Sequence, residues 1–125
     1  SEDFYRILFY LPEFDLHITF HPMDFTQING AINRSIVSRA VQMLDLSDKD
    51  TVLDLFCGLG NFTLPIALRA GKVIGIEGSR EMVERGAENA LNNNIANTAF
   101  YAADLTSPIE KESWYQKNYS KIHRY

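Results

Sequence analysis

Thr51-Val-Leu-Asp-Leu-Phe56 is a nearly continuous apolar run of strand length, and a glycine-rich turn, Cys57–Gly60, closes it. A run of this kind suits the buried centre of a parallel sheet, where helices cover both faces. The pattern then repeats. Asn61–Ala70 reads as a short helix with Pro65 near its start and Gly71 as its C′ residue. Lys72–Glu77 is a second buried strand. Ser79 caps a helix running to about Asn92, with Met82, Val83, Ala87, Ala90 and Leu91 inward. Thr98–Ala103 is a third strand, closed by Asp104. Upstream, Ile28–Leu44 has helical spacing, with Asn29 as N-cap and Ile32, Ile36, Val37, Ala40, Val41 and Leu44 on one face. Tyr5–Leu11 and Leu16–Phe20 read as strands of a β-rich leader. Residues 105–118 read as a turn plus a short helix, and Ser120–Tyr125 as the start of a fourth strand. Alternation of this order implies an α/β fold on an open parallel sheet with right-handed crossovers. The expected division is a leader over residues 1–24 and a domain over residues 25–125.

The 125 residues suffice for one small domain. A formal net charge of -4 with no basic patch argues against a broad grip on phosphates within this chain. Any hold on RNA is expected to come from parts not present here. One cysteine, Cys57, excludes an internal disulfide and fits a reducing compartment. No signal-peptide pattern and no apolar stretch of about 20 residues is visible, so the expected location is the cytoplasm.

Ligands of open parallel sheets bind beyond the carboxyl ends of the strands. Three features fall there. Gly58 and Gly60 let the first loop turn tightly and approach a ligand closely. Glu77, ending the second strand, can accept hydrogen bonds from both hydroxyls of a ribose. Asp104, ending the third, either accepts from an adenine amino group or caps the segment that follows. Together they suit an adenosine moiety. A dinucleotide site shares Gly-x-Gly plus an acid, but here Thr63 stands at the place of the third glycine. Asp54 is expected to point at the loop, where it would repel a pyrophosphate and accept an ammonium group.

Phe25-Thr-Gln-Ile-Asn29, Asp54-Leu-Phe-Cys-Gly-Leu-Gly-Asn-Phe-Thr63 and Val73-Ile-Gly-Ile-Glu-Gly78 resemble the motifs of the uracil-C5 RNA methyltransferases, most closely the branch that modifies 23S ribosomal RNA. The resemblance runs from about Leu16 to Asp104. It implies a partial Rossmann-like sheet of the class I S-adenosylmethionine-dependent kind. It further implies S-adenosylmethionine as cofactor, RNA as partner, and cofactor contacts from Gln27, Phe56, Gly58, Asn61, Glu77 and Asp104. The family mechanism is covalent: a cysteine thiolate adds to uracil C6, C5 takes the methyl group, and a base removes the C5 proton. The family's Asp-Pro motif, catalytic cysteine, general-base glutamate, RNA-binding domain and iron–sulfur cysteines have no counterparts here, and Tyr125 stands where the Asp of that motif is expected. With part of the pocket and several strands missing, the fragment is accordingly expected to bind the cofactor weakly or not at all and to be inactive alone, and its incomplete sheet to invite self-association.

Plainer readings stand beside these. Cys57 reads as a buried filler, not a nucleophile. Gln27 on its own pattern is a polar residue before a helix. His17, His21 and His123 lack metal-ligand spacing and read as surface residues. Trp114 and Tyr115 read as packing residues, Asn92-Asn93-Asn94 as a helix stop, and Glu110 and Glu112 as a solvated face. The rival functions are a small-molecule methyltransferase, a nicotinamide-dependent oxidoreductase and a non-catalytic interaction module.

Overall fold

The computed structural model describes residues 7–20, 30–108, 112–115 and 119–124. Two sheets are present among them. The first is an antiparallel hairpin of β1 (Ile7–Leu11) and β2 (Leu16–Phe20), with Leu11 opposite Leu16. The second has four parallel strands: β3 (Thr51–Leu55), β4 (Lys72–Glu77), β5 (Thr98–Ala102) and β6 (Lys121–Arg124), in the order β5-β4-β3-β6. The helices are α1 (Gly30–Leu44), α2 (Thr63–Ala67) and α3 (Arg80–Asn92). The chain steps outward from β3 through β4 to β5, then returns to the far side of β3 to lay down β6. The strand order therefore reverses beside β3, and the carboxyl end of such a reversal is where open α/β sheets bind their ligands.

The strands show why their sequences read as continuously apolar. Side chains alternate between faces along a strand, and here each face has its own core. Val52 and Val73 enter one cluster with Val37 and Val41 of α1, Leu64 and Ile66 of α2, and Ala90 of α3. Leu53, Ile74 and Ile76 enter a second with Trp114. The hairpin adds Leu11, Phe14, Leu16 and Ile18 to the first cluster. Burial of one such side chain contributes about 1.5–3 kcal/mol, so the hairpin is built into the core and does not hang from it.

Several expectations need correction. Helix α2 is shorter than Asn61–Ala70, because the chain is still leaving the glycine loop at Gly60, whose φ is 98°. Gly71 is not left-handed. It is needed because a Cβ there would lie 2.3 Å from the Asp48 carbonyl oxygen. Helix α3 buries Arg85, Gly86, Asn89 and Ala90, while Ala87 and Leu91 face solvent. Its inward face is thus rotated from the expected one, and polar side chains share it. On α1, Ile36 is half exposed, whereas Val37 and Val41 are buried. Strand β3 ends at Leu55 because Phe56 turns left-handed, at φ 59°. Between β5 and β6 the described residues form turns, with Trp114 buried as a packing residue and Tyr115 edge-on to it. Asn29, His21, Glu110 and Tyr125 lie outside the described residues.

Asn93 does more than stop a helix. Its side-chain carbonyl accepts from the His17 backbone N–H at 2.8 Å, and its amide donates to the His17 carbonyl at 2.8 Å. One side chain thereby stands in for a strand along β2. Asn97 does similar work at the end of α2, donating to the carbonyls of Ala67 and Ala70 at 2.8 and 3.1 Å.

Candidate functional site

The loop after β3 is shaped by backbone that most residues avoid. Phe56, Gly58 and Gly60 have φ values of 59°, 58° and 98°. The left-handed region strains a bulky residue such as Phe56 and suits glycine. A Cβ built on Gly58 would meet no atom within 4 Å, so the space above the loop is open. Beneath it, a Cβ on Gly75 of β4 would lie 3.0 Å from Cys57 Sγ and from the Phe100 ring. One on Gly86 of α3 would lie 2.8 Å from the same ring. Phe100, on β5, therefore fills a slot that two glycines, Gly75 and Gly86, keep clear.

Glu77 is joined to this loop directly. Its carboxylate accepts the Gly58 N–H at 3.1 Å on one oxygen and the Ser79 N–H at 2.9 Å on the other. A carboxylate can accept about four hydrogen bonds, so about two acceptor sites remain. Asp104 lies at the same edge, two residues beyond the register partner of Glu77, Ala102. Its own carboxylate is turned to the following segment: Thr106 donates through both N–H and hydroxyl at 2.9 and 2.5 Å, and Ser107 through its hydroxyl at 2.9 Å. Those donors, the Thr106 hydroxyl first, hold the acid below the ordinary carboxylate range. Of the two readings of Asp104, the local cap is the one these hydrogen bonds make.

Phe56, Gly58, Asn61, Glu77 and Asp104 thus share one carboxyl edge across three adjacent strands. Gln27, with the rest of Phe25–Asn29, lies outside the described residues. A pocket of about 300 Å³ lies elsewhere, between the hairpin turn and α1, lined by Leu11, Phe14 and Arg34 among others.

Two expectations at this edge fail. Asp54 does not point at open space. It is fully buried, and its two oxygens meet the Thr63 hydroxyl at 2.5 Å and His123 Nδ1 at 2.9 Å. His123 is therefore no surface residue. Its imidazole is 14% exposed, paired with Asp54 and packed on Phe62 with ring centroids 4.7 Å apart. Next to it, the Arg124 guanidinium sits 5.2 Å over the Phe56 ring. The spacing of the histidines gave no hint of this, because the Asp54 partner arrives from across the sheet. Sequence reading also missed Asn89, which is 1% exposed and donates to the Leu59 carbonyl at 3.2 Å. An asparagine three residues past Gly86, on the same face of the helix, was the available signal.

Cys57 is buried, and its thiol is pushed far above its ordinary range. Burial is the main cause, with the charges of Asp54 and Glu77 adding to it. A thiol so held does not supply a thiolate nucleophile at neutral pH. Among the described residues no cluster of His, Cys, Asp or Glu is arranged to hold a metal, and no helix is long and apolar enough to cross a membrane.

Comparison with known proteins agrees with this geometry. A family profile described as a methyltransferase domain matches residues 46–124. The chain is 50% identical over 117 residues to the 23S rRNA (uracil(1939)-C(5))-methyltransferase RlmD of Alcanivorax borkumensis, covering 94% of this chain and 26% of that protein. It is 48% identical over 112 residues to the protein of the same description from Legionella pneumophila, covering 90% and 25%. The chain thus spans about a quarter of the length of the curated relatives it matches. Among solved structures, the tRNA (uracil-54, C5)-methyltransferase of Pyrococcus abyssi, in complex with S-adenosyl-L-homocysteine, superposes with a TM-score of 0.74 at 22% identity. That match covers 94% of this chain and 27% of the other. An RNA methyltransferase from Salinibacter ruber, also with S-adenosyl-L-homocysteine, gives 0.61 at 24% identity, covering 73% and 57%. At such identities the likeness is one of fold: an α/β, Rossmann-like sheet.

Proposed function

The chain belongs to the family of methyltransferase domains, and from that premise we propose that it is the S-adenosylmethionine-binding part of an enzyme that methylates C5 of a uridine in RNA, with 23S ribosomal RNA as the substrate. The observation that carries this reading is the carboxyl edge, where Glu77 clasps the loop at Gly58 with acceptor capacity left over. The residues present fit the nucleoside half of the cofactor. Gly58 borders open space, and the adjacent acid can take both ribose hydroxyls. When bound, the cofactor supplies an electrophilic methyl group on its sulfonium.

In this reading Glu77 binds the ribose and Gly58 allows close approach. Phe56 and Asn61 flank the cofactor from the loop, Asp104 borders the adenine, and Gln27 reaches the methionine end. The buried Asp54, with Thr63 and His123, fixes the floor beneath. The thiol that attacks uracil and the base that removes the C5 proton are assigned to the remainder of the enzyme, because Cys57 is unsuited to attack. Residues 1–24 lead into a domain over residues 25–125; the leader's hairpin forms a sheet of its own and packs into that domain's core. The enzyme works in the cytoplasm. RNA is gripped through parts outside this acidic chain, and the edge strands β5 and β6 invite self-association when the chain is alone.

Isothermal titration of the full-length protein with S-adenosylhomocysteine and, separately, NADH tests the reading. Binding of the first and not the second is expected. Binding of NADH alone would make the site an oxidoreductase's, and binding of neither would return the chain to a non-catalytic module.

A further inference from the structure

The glycine loop has an internal hydrogen bond, from the Gly60 N–H to the Cys57 carbonyl at 3.1 Å, yet its backbone is strained. Three of its residues, Phe56, Gly58 and Gly60, are left-handed, and one of them strains a bulky side chain. Its contacts with the rest of the molecule are therefore what set its path. The Cys57 N–H donates to the Ile76 carbonyl at 3.0 Å, and the Gly58 N–H to Glu77 at 3.1 Å, so β4 fixes the near side. The far side, at Leu59, is met from α3. There the Asn89 amide donates to the Leu59 carbonyl at 3.2 Å. Both partners are buried, Asn89 at 1% and Leu59 at 4% exposure, so water does not readily replace the bond. The helix under Asn89 is itself braced, since the Asn89 backbone carbonyl accepts the Asn93 side-chain amide at 2.7 Å and the Asn93 N–H at 3.1 Å. Asn93 in turn holds β2 at His17. A single helix edge thus links the hairpin to the loop.

We infer that Asn89 is the positioning residue of the loop: its amide, held rigid by the α3–hairpin contact, keeps the Leu59 carbonyl down and the Gly58 N–H aligned on Glu77. The bearing on ligand binding rests on the function proposed above; the bearing on loop shape does not.

Backbone amide exchange, followed by NMR on the full chain, separates this from a merely structural role. The test variant is Asn89→Leu, near in volume but without a donor. The control is Val41→Ala, a core truncation in α1 that does not touch the loop. In Asn89→Leu the amides of Cys57, Gly58 and Gly60 should exchange about tenfold faster relative to those of Val52 and Ile74. In Val41→Ala both sets should rise together. Should Asn89→Leu not fold, Asn89→Ser serves, being too short to reach Leu59. In the native chain the Asn89 side-chain amide protons should exchange as slowly as the strand amides. Unprotected side-chain protons there, or a loop-to-strand ratio unchanged in a folded variant, would overturn the inference. Titration with S-adenosylhomocysteine adds the functional arm: about tenfold weaker binding in Asn89→Leu, and none of that loss in Val41→Ala. A native chain that binds no S-adenosylhomocysteine counts against the proposed function alone, since the exchange arm still decides the role of Asn89.

Discussion

Replacing Gly86 by alanine sets helix propensity against packing. Glycine inside a helix costs about 1 kcal/mol relative to alanine, so the exchange should stabilise α3 if nothing opposed it. Here the new Cβ would lie 2.8 Å from Phe100 Cε1 and 3.0 Å from Cδ1. The ring has little room to retreat, because it is packed against the core cluster between α3 and the Gly75 backbone of β4. Forcing a group into a filled core costs about 1–3 kcal/mol. The clash should therefore win, with a net loss of roughly 1 kcal/mol. For a domain of this size that is a fall of about 4 °C in Tm. Urea and thermal denaturation measure it. The cycle with Phe100→Leu isolates the cause: in that background Gly86→Ala should become neutral or stabilising, giving a coupling of about 2 kcal/mol. A Gly86→Ala variant more stable than the native chain would refute the reasoning, because the ring would then have room to move.

Asn93→Ala removes two hydrogen bonds to the His17 backbone and should lower stability by about 1 kcal/mol, the low end for solvent-accessible bonds; an unchanged urea midpoint would count against the bracing role. Glu77→Ala should weaken S-adenosylhomocysteine binding by at least about tenfold through loss of a charged acceptor, and equal affinity by calorimetry would remove Glu77 from the site. Cys57 should resist alkylation by iodoacetamide at pH 8 in the folded chain and react once unfolded, as mass spectrometry reads directly. Its folded pKa is raised, so the folded state holds the proton more tightly. Stability should be unaffected below the unfolded thiol value of 9.0 and fall as pH rises past it, by up to about 1.4 kcal/mol per pH unit. A Cys57→Ala variant should lose that alkaline slope.

Much of the fold was readable because the strands are short, apolar on both faces and separated by strong turn signals. The runs at Thr51–Leu55 and Lys72–Glu77 had few other ways to be buried. The carboxyl-edge placement of Gly58 and Glu77 followed from strand order alone. What escaped was everything decided by a partner far along the chain. His123 reads as an isolated histidine until β6 is laid beside β3 and Asp54 comes within 2.9 Å. Ala87 and Leu91 look like core residues by type, yet the inward arc of α3 is fixed by the Phe100 slot and by Asn89. The role of Asp104 turned on whether Thr106 and Ser107 folded back toward it, which spacing leaves open.

The amide of Asn93 has one more effect. A hairpin of five-residue strands normally offers its outer rim to any extended peptide that drifts past. At His17 both main-chain groups on that rim are already engaged from within. A foreign chain would have to displace α3 before it could add a rung there, so β2 is guarded near its start against runaway stacking.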